Sequence, residues 1–333
     1  MKLDYVLKRI SHTVLIFLAV VTINFFIPRI GNDDPASRYY PPQIGTMTDE
    51  EYDEIKALTR EQYGFDKSPV EQYFIYVKNL LSGDLGNSFQ PGRPKVMTLI
   101  TTRLPWTLVL SLSTMMISSI VGIMYGTFAA KKRGRLPDTM LLASSTLLTA
   151  LPSFIIALIL SMVIGFQLEW LPGYADPSMM TAFDWSFEQI LNVIRNAALP
   201  VISMSIGGIV GYAVSTRNSV IVVSSDDYIL TARAKGLSDG RILYRHTLTN
   251  ALLPIVTRFM MGLSALIGGA VVIEKVFNWN GMGTLFINAN LQNDYPLMMG
   301  IMLFLSSIAL LANLTADLLY FVLDPRIMDG GRR

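Results

Sequence analysis

Apolar residues gather in six runs along the chain, over residues 13–27, 106–130, 139–166, 197–216, 251–277 and 296–323. Each approaches or exceeds the roughly 20 residues that carry a helix across about 30 Å of hydrocarbon at about 1.5 Å per residue. The first run gives way to Pro28 and Arg29, the second carries no charge before Lys131, the third carries none, and the fourth ends at Arg217. Within the fifth stand only Arg258, Glu274 and Lys275, and within the sixth only Asp317. The alternation that a barrel strand needs is missing. Backbone in lipid must bond to itself, so the pattern predicts an all-α polytopic membrane protein with six transmembrane helices. The first run reads as a retained helix and not a cleaved leader, because no small-x-small site follows Phe26.

The polar stretches between the runs set the remaining organisation. Residues 1–30 form a short tail and the first helix, 31–94 an extramembrane segment, 95–323 the other five helices with a long loop at 224–250, and 324–333 a tail. In the 31–94 segment, six prolines cut the chain into short elements. Thr48 followed by Glu51 is a capping box that predicts a helix to about Tyr63. A second helix starts with Pro69 after Ser68, carries Val70, Tyr73, Phe74, Val77, Leu80 and Leu81 on one face, and stops at Gly83. That aromatic face suits a membrane boundary, as a docking or gating surface or as a structural cap on the bundle.

Charge orients the bundle. Sixteen of the 27 Lys and Arg residues fall in the N-terminal tail, the 131–135 turn, the 217–258 stretch and the C-terminal tail. Short loops on the cytoplasmic side are enriched in these residues, so both termini are predicted inside. Eleven acidic residues from Asp33 to Asp84 lie in the segment then placed outside. Only 16% of the residues are charged, against roughly a quarter in a soluble domain, and the mean hydropathy is +0.43. A net charge of +2 speaks against nucleic-acid binding. The absence of Cys excludes disulfides, thiolate metal sites and a cysteine nucleophile.

The 224–250 loop has the most chemistry to read. Ser225 or Asp226 can cap a helix with Asp227 in its first turn and Arg233 and Lys235 in its last. Gly236 can take the left-handed conformation that closes it. Ser238 can cap a second helix running towards Asn250, with Leu237 and Ile242 as a hydrophobic staple. Pro254 then leads into the fifth run. The predicted unit is helix, glycine hinge, helix, and the small residues Thr231, Ala232 and Ala234 would let the first helix sit in a partner's groove.

At this loop the sequence resembles the integral-membrane permease subunits of ABC importers. Leu230, Thr231 and Ala232 stand where their Glu-Ala-Ala falls, Gly236 matches the following Gly, and Leu253-Pro254 match the Leu-Pro that leads into the next helix. The missing Glu and the longer spacing to Pro254 are similar to the peptide-type branch, as are Thr231 to Leu237, Arg245-His246 and Asn250 to Pro254. Gly83-Asp84-Leu85-Gly86, Arg103-Leu104-Pro105, Asp294-Tyr295-Pro296 and Asp324-Pro325-Arg326-Ile327 extend the resemblance to the B-type subunit of that branch over nearly the whole chain.

The resemblance implies the type-1 (MetI-like) ABC permease fold, and a coupling loop comprising Asp226, Asp227, Thr231, Ala232, Arg233, Ala234, Lys235, Gly236 and Leu237. It also implies a C-type permease partner, two ABC ATPase subunits, an extracytoplasmic substrate-binding protein and surrounding lipid. Solutes of that branch are chiefly di- and oligopeptides, with nickel chelates and oligosaccharides as alternatives. No phosphate loop of the Gly-x-x-x-x-Gly-Lys-Ser/Thr type occurs, so ATP and Mg belong to the partners, with no cofactor held by this chain. Zinc-protease and nucleophile-elbow motifs are absent too, and His12 and His246 are far apart, so no catalytic role is expected.

Within the spans, Arg258, Asn313 and Asp317 are candidate polar groups, the last two sharing a helix face as a clasp. Gly122 with Gly126, and Gly207 with Gly211, permit close helix approach, within this chain or against a second permease. An ATP-independent channel or proton-coupled carrier is the competing class. It would need a filter or several carboxylates facing a cavity, and only Asp317 approaches that.

Overall fold

A computed structural model of the chain describes residues 2–26, 29, 36–43, 47–62, 64–180, 186–252, 254–256, 258–259, 262 and 270–323. Among them no strand forms, only an isolated bridge between Asn87 and Lys95. The chain divides into two units, Met1–Leu104 with Leu285–Leu310, and Pro105–Thr284 with Leu311–Arg333.

In the first unit, α1 (Lys2–Phe26) leaves most of its apolar surface open, as a lipid-facing helix should. The capping box forms as the sequence predicts. Thr48 N–H donates to Glu51 Oε2 at 2.9 Å and Glu51 N–H to Thr48 Oγ1 at 3.3 Å, opening α2 (Asp49–Gln62). Ser68 caps α3 (Pro69–Leu81) through the Glu71 amide at 3.3 Å. Phe25, Ala36, Phe65, Tyr295 and Met299 form a core ringed by Tyr40, Tyr73, Tyr76 and Phe89. The aromatic face of α3 thus serves in part as packing. Arg29 lies 3.8 Å above the Phe25 ring and donates to the Phe25 carbonyl, and burial pulls its guanidinium down to about 10.

The Asp294-Tyr295-Pro296 motif meets the residues that follow the Gly83–Gly86 motif, some 200 positions away, in this unit. Asp294, buried, accepts from Ser88 Oγ (2.5 Å) and the Phe89 amide (3.1 Å), and its other oxygen takes the Leu297 amide (3.2 Å). A carboxylate holding three donors near a helix start is stabilised by charge-assisted bonds and by the helix dipole. Upstream, Gly83 and Gly86 adopt left-handed backbone (φ +75° and +80°), and Asp84 Oδ1 receives the Gly86 amide at 2.9 Å.

The second unit holds most of α4 (Val96–Lys131), then α5 (Leu136–Ala150), α6 (Ser153–Leu160) with a π-helical continuation to Gln167, and α7 (Phe187–Val223). Glycine sets how closely α4 meets α7. A Cβ on Gly122 would lie 2.5 Å from Tyr212 Cβ, and one on Gly126 would collide with the Ala213 carbonyl. The first glycine pair is therefore an intrachain contact. The second differs: Gly207 faces open space and Gly211 faces the Arg258 guanidinium.

The third apolar run does not form one straight span. It breaks into Leu136–Leu148 and Ser153–Gln167, bent by 99°. Pro152 is the cause: it lacks a donor, and it forces Leu151 into extended backbone (ψ 120°) where a helix would need to continue.

Among the described residues, four helices are long and apolar enough to span, Val6–Phe26, Val96–Lys131, Phe187–Val223 and Tyr295–Thr315, and the bent pair makes a fifth. The predicted run at 251–277 lies partly outside the described residues. Its end forms α11 (Val271–Val276), followed by α12 (Met282–Leu291) and α13 (Tyr295–Leu323). The protein is an all-α multi-pass membrane protein, compatible with six spans.

Candidate functional site

The loop after α7 folds as a self-contained unit. α8 (Asp227–Ala234) begins with Asp226 at the N-cap position, but the capping side-chain bond expected from Ser225 or Asp226 does not form. Ser225 Oγ instead donates back to the Val222 carbonyl at 2.6 Å. The helix closes as the sequence predicts: Gly236 has φ +75°, its amide bonds the Arg233 carbonyl (2.9 Å), and the Leu237 amide reaches the Ala232 carbonyl (3.3 Å). These paired bonds make a Schellman stop, which only a residue at ease in left-handed backbone can provide.

Next come Ser238 at the N-cap, α9 (Asp239–Arg241), a π-helical turn over Ile242–Thr247 and α10 (Leu248–Ala251). A single regular second helix is the sequence expectation; the structure inserts a wider turn. Ile229, Ala232 and Ile242 are buried together, with Leu237 packed on them, so the predicted staple also clamps the two helices. Burying the Ile229 side chain alone contributes about 1.5–3 kcal/mol. Tyr228 adds a polar brace that sequence reasoning missed. Asn250 Nδ2 donates to Tyr228 Oη at 2.7 Å and to the His246 carbonyl at 3.3 Å, so residues 22 apart are tied.

This packing sorts the loop residues into two faces. Ala232 faces inward and is 7% exposed, which withdraws it from the partner-groove role expected for it. Asp226, Asp227, Thr231, Arg233, Ala234, Lys235 and Gly236 are exposed and Leu237 is half-buried. Asp227, Leu230, Thr231 and Ala234 stand at helical spacing on one open side, and Leu230 keeps 55% of its surface exposed there. Beside α8 a cavity of about 390 Å³ is bordered by Lys131, Arg133 and Arg233, with Asp239 as its carboxylate.

The base of the loop is fixed by a contact invisible in the motif reading. Asp138, in the first turn of α5, accepts Arg217 Nε at 2.8 Å and Nη2 at 3.0 Å, and also the Gly134 amide at 2.8 Å. Asp138 is 3% exposed and Arg217 sits near the end of α7, seven residues before Ser224. One acid within an otherwise basic turn, followed by a lone Arg at a span's end, was the available signal. Glu274 is likewise buried, accepting Thr107 Oγ1 (2.6 Å) and the Thr284 amide (3.0 Å) next to the Trp106–Trp279 pair.

The remaining predicted groups are dispersed. Leu253 lies outside the described residues, and Pro254 is exposed at the start of the next helical stretch. Arg258 Nη1 donates to the Gly211 carbonyl at 3.2 Å, with the guanidinium 5.2 Å from the centre of the Tyr212 ring. Asn313 is exposed on α13, and the Asp317 side chain falls outside the described residues.

Comparison with known proteins agrees with this arrangement. Residues 122–329, which include the whole loop, match the family described as "Binding-protein-dependent transport system inner membrane component". The chain is 32% identical over 323 residues to the oligopeptide transport system permease protein AppB of Bacillus subtilis (strain 168), covering 97% of this chain and 98% of that protein. It is 32% identical over 327 residues to the oligopeptide transport system permease protein OppB of Haemophilus influenzae, covering 98% and 99%. The same figures hold for the glutathione transport system permease protein GsiC of Salmonella typhimurium. With a helical multi-pass fold, a Schellman-closed loop unit and similarity along nearly its entire length, the chain belongs to the family of inner-membrane permease components of binding-protein-dependent transport systems.

Proposed function

We propose that this chain is the B-type permease subunit of an ATP-driven importer of di- and oligopeptides, forming half of the pathway beside a C-type permease. Two ATPase subunits, which carry the ATP and Mg, dock on the cytoplasmic loop, and an extracytoplasmic binding protein delivers solute from the other side. Both termini lie in the cytoplasm. The observation that carries the reading is the α8 unit itself. It is closed at its C-terminal end by the Schellman stop, held inward by Ile229 and Ala232, and open along Asp227, Leu230, Thr231 and Ala234. A short helix so fixed moves as a body when its partner moves. Closure of the ATPases on ATP then biases the spans between inward- and outward-open arrangements.

Peptides are favoured over oligosaccharides or a nickel chelate because relatives similar over nearly the full length carry oligopeptide or glutathione in their names. Gly236→Val tests the lever. A β-branched residue in left-handed backbone costs about 1–2 kcal/mol, which loosens the Schellman stop without touching the spans. The variant is expected to insert and to bind its ATPases while ATP hydrolysis no longer drives peptide uptake in proteoliposomes. Wild-type coupling in that variant would refute the lever.

A further inference from the structure

Arg258 is a cation set within an apolar run, and the described part of the structure gives it a cavity. Among the described residues no carboxylate pairs with it, and its one hydrogen bond goes to the Gly211 carbonyl at 3.2 Å. A guanidinium has five N–H donors, so the described residues leave most of its capacity unspent. Gly211 is what lets it lie there, because a Cβ at that position would come 2.7 Å from Nη2. The Tyr212 ring, 5.2 Å from the guanidinium, supports it from one side.

The space it borders measures about 660 Å³ and is lined by Ser145 and Thr146 of α5, and by Ser215 and Asn218 of α7, with Gly207 leaving its wall open. That volume lies within the range of small-ligand sites, about 300–1,000 Å³. An Arg inside a bundle bonds another charge or backbone carbonyls, or faces water or a passing anion, since hydrocarbon would exact several kcal/mol; here one carbonyl takes one donor and the cavity lies before the rest. A fork of N–H donors fits a carboxylate by two parallel bonds, and hydroxyl and amide groups around it suit a peptide backbone.

We propose that this cavity is an anion-selective station on the pathway, in which Arg258 receives the terminal carboxylate of a peptide in transit. The proposal rests on the peptide-import reading above and adds to it a specificity-determining residue. Arg258 is exposed in the cavity, which keeps the contact wet and weak enough for release.

The chain has no native cysteine, so a single one can report the cavity's field. Ser215→Cys would be introduced in the assembled transporter in lipid nanodiscs. Its rate of modification would be read by mass spectrometry of this chain for anionic and cationic methanethiosulfonates of equal size. With Arg258 present the anionic reagent is expected to react about tenfold faster, and with Arg258→Gln the two rates converge. A dipeptide with a free carboxylate should slow the reaction, its C-terminal amide should not, and Arg258→Gln should remove the difference.

Equal reagent ratios in the two backgrounds, or a faster cationic reagent, would overturn the proposal; the second would mean that a partner's carboxylate already neutralises Arg258. Equal protection by acid and amide, or none by either, would overturn the carboxylate assignment. Failure of the wild-type transporter to import any peptide would instead refute the import reading, because the reagent ratio is read without transport.

Discussion

Replacing Asp138 by Asn tests whether the clasp between α5 and α7 holds the end of the bundle from which the 224–250 loop projects. The carboxylate accepts two bonds from Arg217 and one from the Gly134 amide, at 2.8–3.0 Å. Asn keeps the shape but removes the charge and turns one acceptor into a donor, which must face either the guanidinium or an amide N–H. Losing one partner of a buried pair costs about 3–5 kcal/mol. Here the Arg217 side chain is 17% exposed and also donates to Asn218 at 3.0 Å, so part of its hydration and bonding survives. The expected cost is therefore nearer 2–3 kcal/mol, or about 30- to 150-fold in the folded-to-unfolded ratio.

The assay is reversible unfolding in mixed micelles, followed by tryptophan fluorescence, for Asp138→Asn, Arg217→Gln and the double variant. The coupling between the two sites should exceed about 1.5 kcal/mol. A single substitution within about 0.5 kcal/mol of wild type, together with additivity in the double variant, would show that the pair contributes nothing.

Two further outcomes follow from the geometry. Gly126→Ala drives a methyl into the Ala213 carbonyl and should cost about 1–3 kcal/mol, whereas Gly207→Ala, with nothing within 4 Å, should be neutral or gain up to about 1 kcal/mol. Thermal stability of the purified complex separates them, and equal stability of the two variants would contradict the helix contact. The second concerns pH. The Thr48 amide, and then its hydroxyl, hold the Glu51 carboxyl below its usual range. A carboxyl whose folded value is lowered stabilises fully above its unfolded value and loses that contribution as pH falls through the folded one. Amide exchange at the start of α2, corrected for intrinsic rate, should therefore quicken between pH 6 and pH 3, with Glu51→Gln insensitive to pH. Protection independent of pH in the wild type would refute the capping role.

Much of this protein follows from local pattern. Apolar length and the placing of Lys and Arg specify a helical bundle and its expected orientation, because hydrocarbon accepts only self-bonded backbone. Capping chemistry is equally local: Thr48 with Glu51, Ser68 with Pro69, and Gly236 each act on residues within a turn, and each takes the predicted conformation. Where local rules competed, sequence alone could not choose. Ser225 had both a forward amide and a backward carbonyl within reach and took the carbonyl, and Pro152 converted an uninterrupted apolar run into a bend.

Contacts between distant residues were decided only by the tertiary structure. Asp138 with Arg217, Ser88 with Asp294 and Tyr228 with Asn250 join positions whose separation carries no periodic signal. Packing also turned Ala232 inward, where its small size serves the chain itself and not a partner. It gave two similar glycine pairs opposite uses, one pressed against a helix and the other opening a cavity to Arg258. Sequence determined which segments are helical, where they start and stop, and which of them can lie in lipid, since those properties depend on neighbours in the chain. Which charge is buried against a partner, and which faces a cavity, depends on neighbours in space, and only the folded structure supplies those.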